Sequence, residues 1–317
     1  MELLDRFFSG DIRALSRLIT QVENRREGFR KLLGDLSKKT GRAIKIGVTG
    51  PPGAGKSTLV YCLTSLLSGA GTKVGIVAVD PSSPFTGGAL LGDRVRMGEL
   101  PSDGRVYFRS MASRGATGGL SSATDNVSMV LDAFGFDIIL IETVGVGQVE
   151  LDIVDACDTV VVVVVPESGD AVQTMKAGLM EVADIMVVNK ADRQGAESLA
   201  VELKHALHLR TSTQDAWETK VVTTQANQSI GIEKLHQRIR EHLEFIKAND
   251  HFDRHRRLQV QKKILAILSH RFRREFIDRL AEQVDFDQIV DDVYRGRSDP
   301  YLVADELYQT YARSHPS

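Results

Sequence analysis

Residues 50–58 read GPPGAGKST, and Gly50, Gly55, Lys56 and Ser57 stand at the spacing G-x-x-x-x-G-K-[ST]. In that pattern glycines let backbone N–H groups curl around phosphate oxygens, and the start of the following helix adds its partial positive charge. Lys56 is placed to reach the β- and γ-phosphates and Ser57 to ligate Mg²⁺. Between the fixed positions, Pro51, Pro52, Gly53 and Ala54 complete the cradle. Composition alone would give such a match in roughly one per cent of chains this long. The apolar run IKIGVT before it and the helical pattern LVYCLTSLL after it supply the strand–loop–helix context the motif needs.

A second set names the base. Residues 189–192 read NKAD, at the end of the run DIMVVNK. A carboxylate at Asp192 accepts hydrogen bonds from the N1–H and 2-amino group of guanine. Adenine presents neither donor and would leave it unpaired, at a cost of about 1–3 kcal/mol. Lys190 can lay its stem across the ring, and Asn189 can tie this turn to the phosphate loop. Four residues alone also fit an ordinary strand-to-helix turn. The weight comes from their place at a strand's C-terminal end, on the edge where such sheets bind ligands. Between the two sets, IILIETVGVGQVE puts Glu142 after four apolar residues and Gly145 just beyond, where most GTPases carry Asp and a γ-phosphate-sensing glycine. VAVDPSSPFTGGALLGDRVRM ends another strand in Asp80 and adds Asp93 and Arg94, for which a surface ion pair is the lesser alternative. Mg²⁺ usually takes only one or two carboxylates directly, so Asp80, Asp93 and Glu142 cannot all be assumed to be inner ligands. One of them acts through water or orients the attacking water.

These residues need a scaffold, and the pattern supplies one. Seven short β-branched runs are strand candidates: AIKIGVT, KVGIVAVD, RVYFRS, DIILIET, DTVVVVVV, DIMVVNK and KVVTTQ. They alternate with helical stretches, which predicts an α/β, mostly parallel, doubly wound sheet of the P-loop NTPase type. Valines at every position from 160 to 165 suit a central strand buried on both faces. Residues 1–43 read as an N-terminal helical extension, with Leu15, Leu18, Ile19 and Val22, then Phe29, Leu32, Leu33 and Leu36, predicting two helices. The nucleotide domain spans 44–246, and 247–317 is a helical arm that must pack on the main domain or on a second copy.

Composition sets outer bounds. The 317 residues are 42% apolar and 26% charged, an ordinary globular balance. A net charge of −2 gives no general reason to bind nucleic acid or an anionic membrane. Arg254, Arg256 and Arg257, with Arg271, Arg273 and Arg274, are interleaved with acids and read as a solvated helix face. Two cysteines, Cys62 and Cys157, exclude a disulfide framework or a four-thiolate zinc site within one chain. The N-terminus lacks a targeting pattern, and the run TVVVVVVP is far short of the roughly 20 residues that span a bilayer. A cytoplasmic protein is expected.

In order along the chain, GVTGPPGAGKSTL, VAVDPSSPFTGGALLGDRVRM, RSMASRGATGGLS, IETVGVGQVE, PESGDAVQTMKAG and VVNKAD resemble the MeaB/ArgK-type GTPases, metallochaperone G proteins associated with methylmalonyl-CoA mutase. The flanking helices match that family's N-terminal extension and C-terminal dimerisation arm. The resemblance implies a GTPase, cycling between GTP and GDP, that escorts adenosylcobalamin into a B12-dependent acyl-CoA mutase and protects or rescues it. The cobalamin would be met only through the mutase. It also implies a homodimer. By position, Lys56, Ser57 and Thr58 become phosphate and Mg²⁺ groups, and Asp80, Asp93 and Glu142 the metal and hydrolysis carboxylates. The stretch 166–178 becomes a partner-coupling switch through Asp170, Gln173 and Lys176. Two departures stand out. Gln225-Ala226-Asn227 replaces a Ser-Ala-like loop under guanine O6, where a backbone N–H can still serve, and Val149 replaces a common Ser, for which we have no physical account.

Three other classes compete. A nickel-insertion GTPase would need clustered ligands, whereas the only close histidine pair is His251 and His255. A P-loop kinase has no ordinary use for N-K-x-D, and a nucleic-acid-binding GTPase would carry a stronger basic bias. No residue is an evident arginine finger, and Arg94, Arg109 and Arg114 remain open as residues that could move inward in a complex.

Overall fold

The computed structural model describes residues 2–80, 103–112, 122–143, 149–166, 178–209 and 216–313. A short helix α1 (Leu3–Phe8) precedes the two expected N-terminal ones, α2 (Ile12–Glu23) and α3 (Phe29–Ser37). Asp11 caps α2 by accepting from the backbone of Arg13 (2.7 Å) and Ala14 (3.2 Å). Leu15, Leu18, Ile19 and Val22 then fall on one buried stripe.

The seven runs form seven strands alternating with helices: β1 (Ile44–Thr49), α4 (Lys56–Gly69), β2 (Val74–Asp80), β3 (Val106–Ala112), α5 (Ser122–Phe134), β4 (Ile138–Thr143), α6 (Val149–Ala156), β5 (Thr159–Val164), α7 (Leu179–Val182), β6 (Ile185–Val188), α8 (Ala196–His208), β7 (Lys220–Thr223) and α9 (Ile232–Ala248). Their order is β3-β2-β4-β1-β5-β6-β7, and every pairing is parallel. The valine run shows why this sheet is buried on both faces. Val160, Val162 and Val164 enter the core shared with α2, α5, α6 and α8, while Val161, Val163 and Val165 enter the core shared with α4 and α9.

Carboxylates tie down the N-terminal edge of the sheet. Lys45 N–H donates to Asp158 (2.8 Å), Val160 N–H to Asp184 (2.7 Å) and Lys73 N–H to Asp137 (2.8 Å). Asp132 accepts from the backbone of Gly41, Arg42 and Ala43. Buried His242 joins α9 to the same edge through Thr159 Oγ1 (2.9 Å) and Asp184 (3.3 Å). With these strand starts fixed, the C-terminal ends are free to carry function.

The chain forms two compact units, 1–253 and 254–317. The second comprises most of α10 (His251–Gln283) with α11 (Phe286–Tyr294) and α12 (Pro300–Arg313). The apolar spacing of RLQVQKKILAILSHRFRREFIDRLAEQV and of PYLVADELYQTYA predicts the first and last of these; α11, capped by Asp285 on Gln288 N–H (3.1 Å), is an addition. Within this unit Phe276 and Tyr311 meet edge to face at 4.8 Å. No helix among the described residues is long and apolar enough to cross a membrane.

Candidate functional site

The candidate residues with described positions gather at the C-terminal edge of the sheet. β1 runs straight into the phosphate loop, which turns at Gly50 (φ 136°) and again at Gly55 (φ 87°) before α4 begins at Lys56. A side chain at Gly50 would place its Cβ 2.0 Å from the carbonyl oxygen of Val163, so the loop can only leave the sheet here as glycine. Lys56 is buried under the loop, its ammonium donating to the carbonyls of Gly50 (2.7 Å) and Pro51 (2.8 Å). The cation is thereby aimed at the space the loop encloses. Pro52 and Gly53 are exposed at its rim.

At the first turn of α4, Ser57 Oγ donates to Glu142 Oε1 at 2.6 Å. Glu142 stands near the end of β4 and is largely buried. Its extra methylene, compared with the usual Asp, gives the carboxylate reach from one element to the other. Because the hydroxyl spends its proton on Glu142, its lone pairs stay available, and hard oxygen donors of this kind suit Mg²⁺. Asp80 closes β2 on the same edge. Asp93, Arg94, Gly145, Arg114, Asp170, Gln173 and Lys176 lie outside the described residues.

Asn189 is the junction of the site. It is 2% exposed, and its side chain reaches three segments. Nδ2 donates to the Ala54 carbonyl in the phosphate loop (2.8 Å). Oδ1 accepts from Thr224 Oγ1 (3.0 Å) and from the Ala226 backbone (3.1 Å). Gly55 must be glycine partly for this reason, since a Cβ there would lie 2.4 Å from Asn189 Nδ2. The next residue, Lys190, takes a left-handed φ of 55°, Ala191 N–H bonds the Thr224 carbonyl (2.9 Å), and Asp192 is exposed. Gln225, Ala226 and Asn227 follow β7, the last two opening a single 3₁₀ turn (Ala226–Gln228). The Cys62 thiol of α4 bonds the Ala226 carbonyl at 3.0 Å, so this loop too is referred back to the phosphate-loop helix.

Arg109 is committed elsewhere. Its guanidinium pairs with Glu23, with Nε to Oε2 at 3.0 Å, and approaches Thr20 Oγ1 at 3.4 Å, which fastens β3 to α2. Among the three arginines left open, it is the one whose described position serves the fold. His251 stacks on Phe245 (6.1 Å) and His255 bonds Gln259 (2.9 Å). Among the described residues, no group of three or more His, Cys, Asp or Glu is arranged to hold a metal ion.

Sequence reasoning passed over Thr49, Thr143 and Thr224. The first two share a buried hydrogen bond (2.8 Å) across β1 and β4 at the foot of the loop. Each threonine ends or follows a strand, and that position beside a motif residue was the available signal.

Comparison with known proteins agrees with this geometry. Residues 15–281 match the sequence profile of the family described as methylmalonyl Co-A mutase-associated GTPase MeaB. Over 308 residues the chain is 47% identical to a protein of Pyrococcus abyssi named for GTPase activity, covering 96% of this chain and 95% of that one. A mouse protein named methylmalonic aciduria type A homolog, mitochondrial, is 35% identical over 259 residues, 75% of this chain and 62% of its own length. The solved structure of an LAO/AO transport system kinase superposes with a TM-score of 0.71 at 26% identity, covering 98% of this chain and 96% of that one. A phosphate loop joined through Asn189 to the NKAD turn, on a chain matched by that profile for most of its length, belongs to a GTPase of the MeaB family.

Proposed function

We propose that this GTPase gates delivery of adenosylcobalamin to a B12-dependent acyl-CoA mutase and protects or reactivates that mutase, with methylmalonyl-CoA mutase as the first candidate partner. The observation that supports a guanine-driven device is the three-way junction at Asn189, which makes base recognition and phosphate binding parts of one rigid unit. Family membership and the mouse relative's name support the choice of partner.

In this reading Asp192 accepts from guanine N1–H and the 2-amino group, and Lys190 covers the ring. The loop at 225–227 presents backbone N–H to O6. Water attacks the γ-phosphate in line while Lys56 and the loop amides balance the growing charge on its oxygens. Mg²⁺, held by Ser57 with Asp80, Asp93 or Glu142 directly or through water, would supply further charge neutralisation. Gly145 contacts the γ-phosphate, and Asp170, Gln173 and Lys176 relay partner binding. Basal turnover is slow, and a partner that supplies or positions an arginine finger raises it, by roughly 10³–10⁵ in GTPases of that kind. Residues 247–317 form a dimerisation arm, and the protein works in the cytoplasm.

GTP turnover measured alone and with the cognate mutase tests this. Stimulation by the mutase supports the reading, and equal rates remove it. Lys56→Ala abolishes hydrolysis in both conditions. Lys176→Ala keeps the basal rate and loses the stimulation; equal loss of both would remove 166–178 as a switch.

A further inference from the structure

Under the proposed function a backbone N–H of the loop after β7 meets guanine O6, and the hydrogen bonds of that loop single one out. Gln225 N–H donates to the Ile230 carbonyl (3.0 Å), Gln228 N–H to the Gln225 carbonyl (2.9 Å) and Ser229 N–H to the Ala226 carbonyl (3.2 Å). Ala226 N–H is taken by Asn189 Oδ1 (3.1 Å). Among the described residues no acceptor meets the N–H of Asn227, which is exposed between them. That N–H shares a peptide unit with the Ala226 carbonyl. A trans peptide is planar, with its N–H and C=O pointing opposite ways, so whatever holds the carbonyl also aims the N–H. The hold comes from α4. The Cys62 thiol, 7% exposed, donates to the Ala226 carbonyl at 3.0 Å, and its Sγ accepts from Ser229 Oγ at 3.6 Å. The turn has little freedom of its own: Ser229 takes a left-handed φ of 57°, and a Cβ at Gly231 would lie 2.4 Å from the Thr223 carbonyl oxygen.

We propose that Cys62 is a positioning residue for guanine recognition. From the second turn of the phosphate-loop helix, its thiol holds the Ala226–Asn227 peptide with the carbonyl turned inward and the Asn227 N–H turned outward, toward O6. A donor on the carbonyl also polarises the peptide and strengthens its N–H as a donor. This tie is separate from the Asn189 junction, because Asn189 takes the N–H of Ala226 and Cys62 the carbonyl. It acts on the O6 edge of the base and leaves the edge that Asp192 reads unaffected. The proposal rests on the reading that the loop at 225–227 meets O6.

Affinities for GDP, inosine diphosphate and 6-thio-GDP, measured by displacement of a fluorescent GDP, test it. Inosine diphosphate keeps O6 and lacks the 2-amino group; 6-thio-GDP carries sulfur, a weak acceptor, in place of O6. Wild type should prefer GDP to 6-thio-GDP by roughly fivefold, the contribution of one neutral hydrogen bond. Cys62→Ala should weaken GDP and inosine diphosphate by the same factor, roughly threefold to fivefold, and 6-thio-GDP by less than about twofold. The preference over 6-thio-GDP then shrinks while the preference over inosine diphosphate is kept. Cys62→Ser, which retains a donor, should recover most of the lost preference. Equal weakening of GDP and 6-thio-GDP in Cys62→Ala, an unchanged preference, or no recovery in Cys62→Ser would mean that the thiol serves packing alone. If Cys62→Ala does not fold, Cys62→Val fills the thiol's volume without a donor and should show the same narrowing; an unchanged preference there overturns the proposal. A wild type that binds GDP and 6-thio-GDP equally would remove the O6 reading itself, and this inference with it.

Discussion

Asn189 shows how much a single buried amide can hold. Its two polar atoms serve the phosphate loop at Ala54, the β7 end at Thr224 and the base-side loop at Ala226. Alanine at this position leaves a carbonyl, a hydroxyl and an amide N–H without that partner, and each unsatisfied buried group costs about 1–3 kcal/mol before relaxation. Water will repair part of the loss. Asn189→Ala should therefore lower stability by roughly 2–4 kcal/mol, measured by urea unfolding. GTP and GDP share the base, so their affinities should fall by the same factor. A selective loss of GTP would contradict a junction that acts on the base side. Lys56 belongs to a different class, because its carbonyl partners Gly50 and Pro51 are themselves parts of the loop it anchors. Substitution there removes a charge aimed at the phosphates and leaves the rest of the scaffold in place.

At the scale of elements, α6 is held by side chains that meet no water, and one of them titrates. Burial pushes the Cys157 thiol well above its ordinary range; nearby Lys45 opposes that shift, and Asp158, Asp125 and Asp184 reinforce it. The folded chain thus keeps a proton that the unfolded chain loses above a pH of about 8.5. Stability from this source is complete below that pH and declines as the pH rises toward the folded value, by up to about 1.4 kcal/mol per unit. Thermal unfolding between neutral and alkaline pH should show a steeper decline for wild type than for Cys157→Ala, which has nothing to titrate at that position. Parallel curves would refute the assignment. The sequence made the seven strands readable because each is a β-branched run between turn residues, and the valine run also announced burial on both faces. Helices α1 and α11 escaped notice because six and nine residues give too little periodicity to read. The motif residues were legible because ligand chemistry restricts their type and spacing. Thr49 and Thr143, 94 positions apart, were not, since their meaning exists only once β1 and β4 pair. Cys62 looked like one more apolar residue of α4 until the loop after β7 was placed against it.

For the whole molecule, the division into units places the described site residues and the C-terminal helices in different units. Every described candidate site residue lies in the unit 1–253, which has its own sheet-centred core. The unit 254–317 instead leaves large apolar side chains uncovered along α10. Leu258, Leu265, Leu268 and Phe272 follow one another at spacings of seven, three and four, and are 46%, 54%, 55% and 55% exposed. That spacing is the seam of a coiled-coil-like contact, and a contiguous apolar stripe of this kind is unusual on a chain that works alone. A second copy is the partner the proposed arm calls for. Sedimentation should find a dimer in the wild type, and Leu265→Glu with Leu268→Glu should shift it to monomer by placing charge in the seam. Because the site residues sit in the other unit, GTP turnover without mutase should change by less than about twofold, as for surface changes remote from a site. A wild type that sediments as a monomer, or a double variant that stays dimeric, would show that α10 is not the assembly surface. A monomeric variant that also loses basal hydrolysis would mean that the second copy contributes to the site itself.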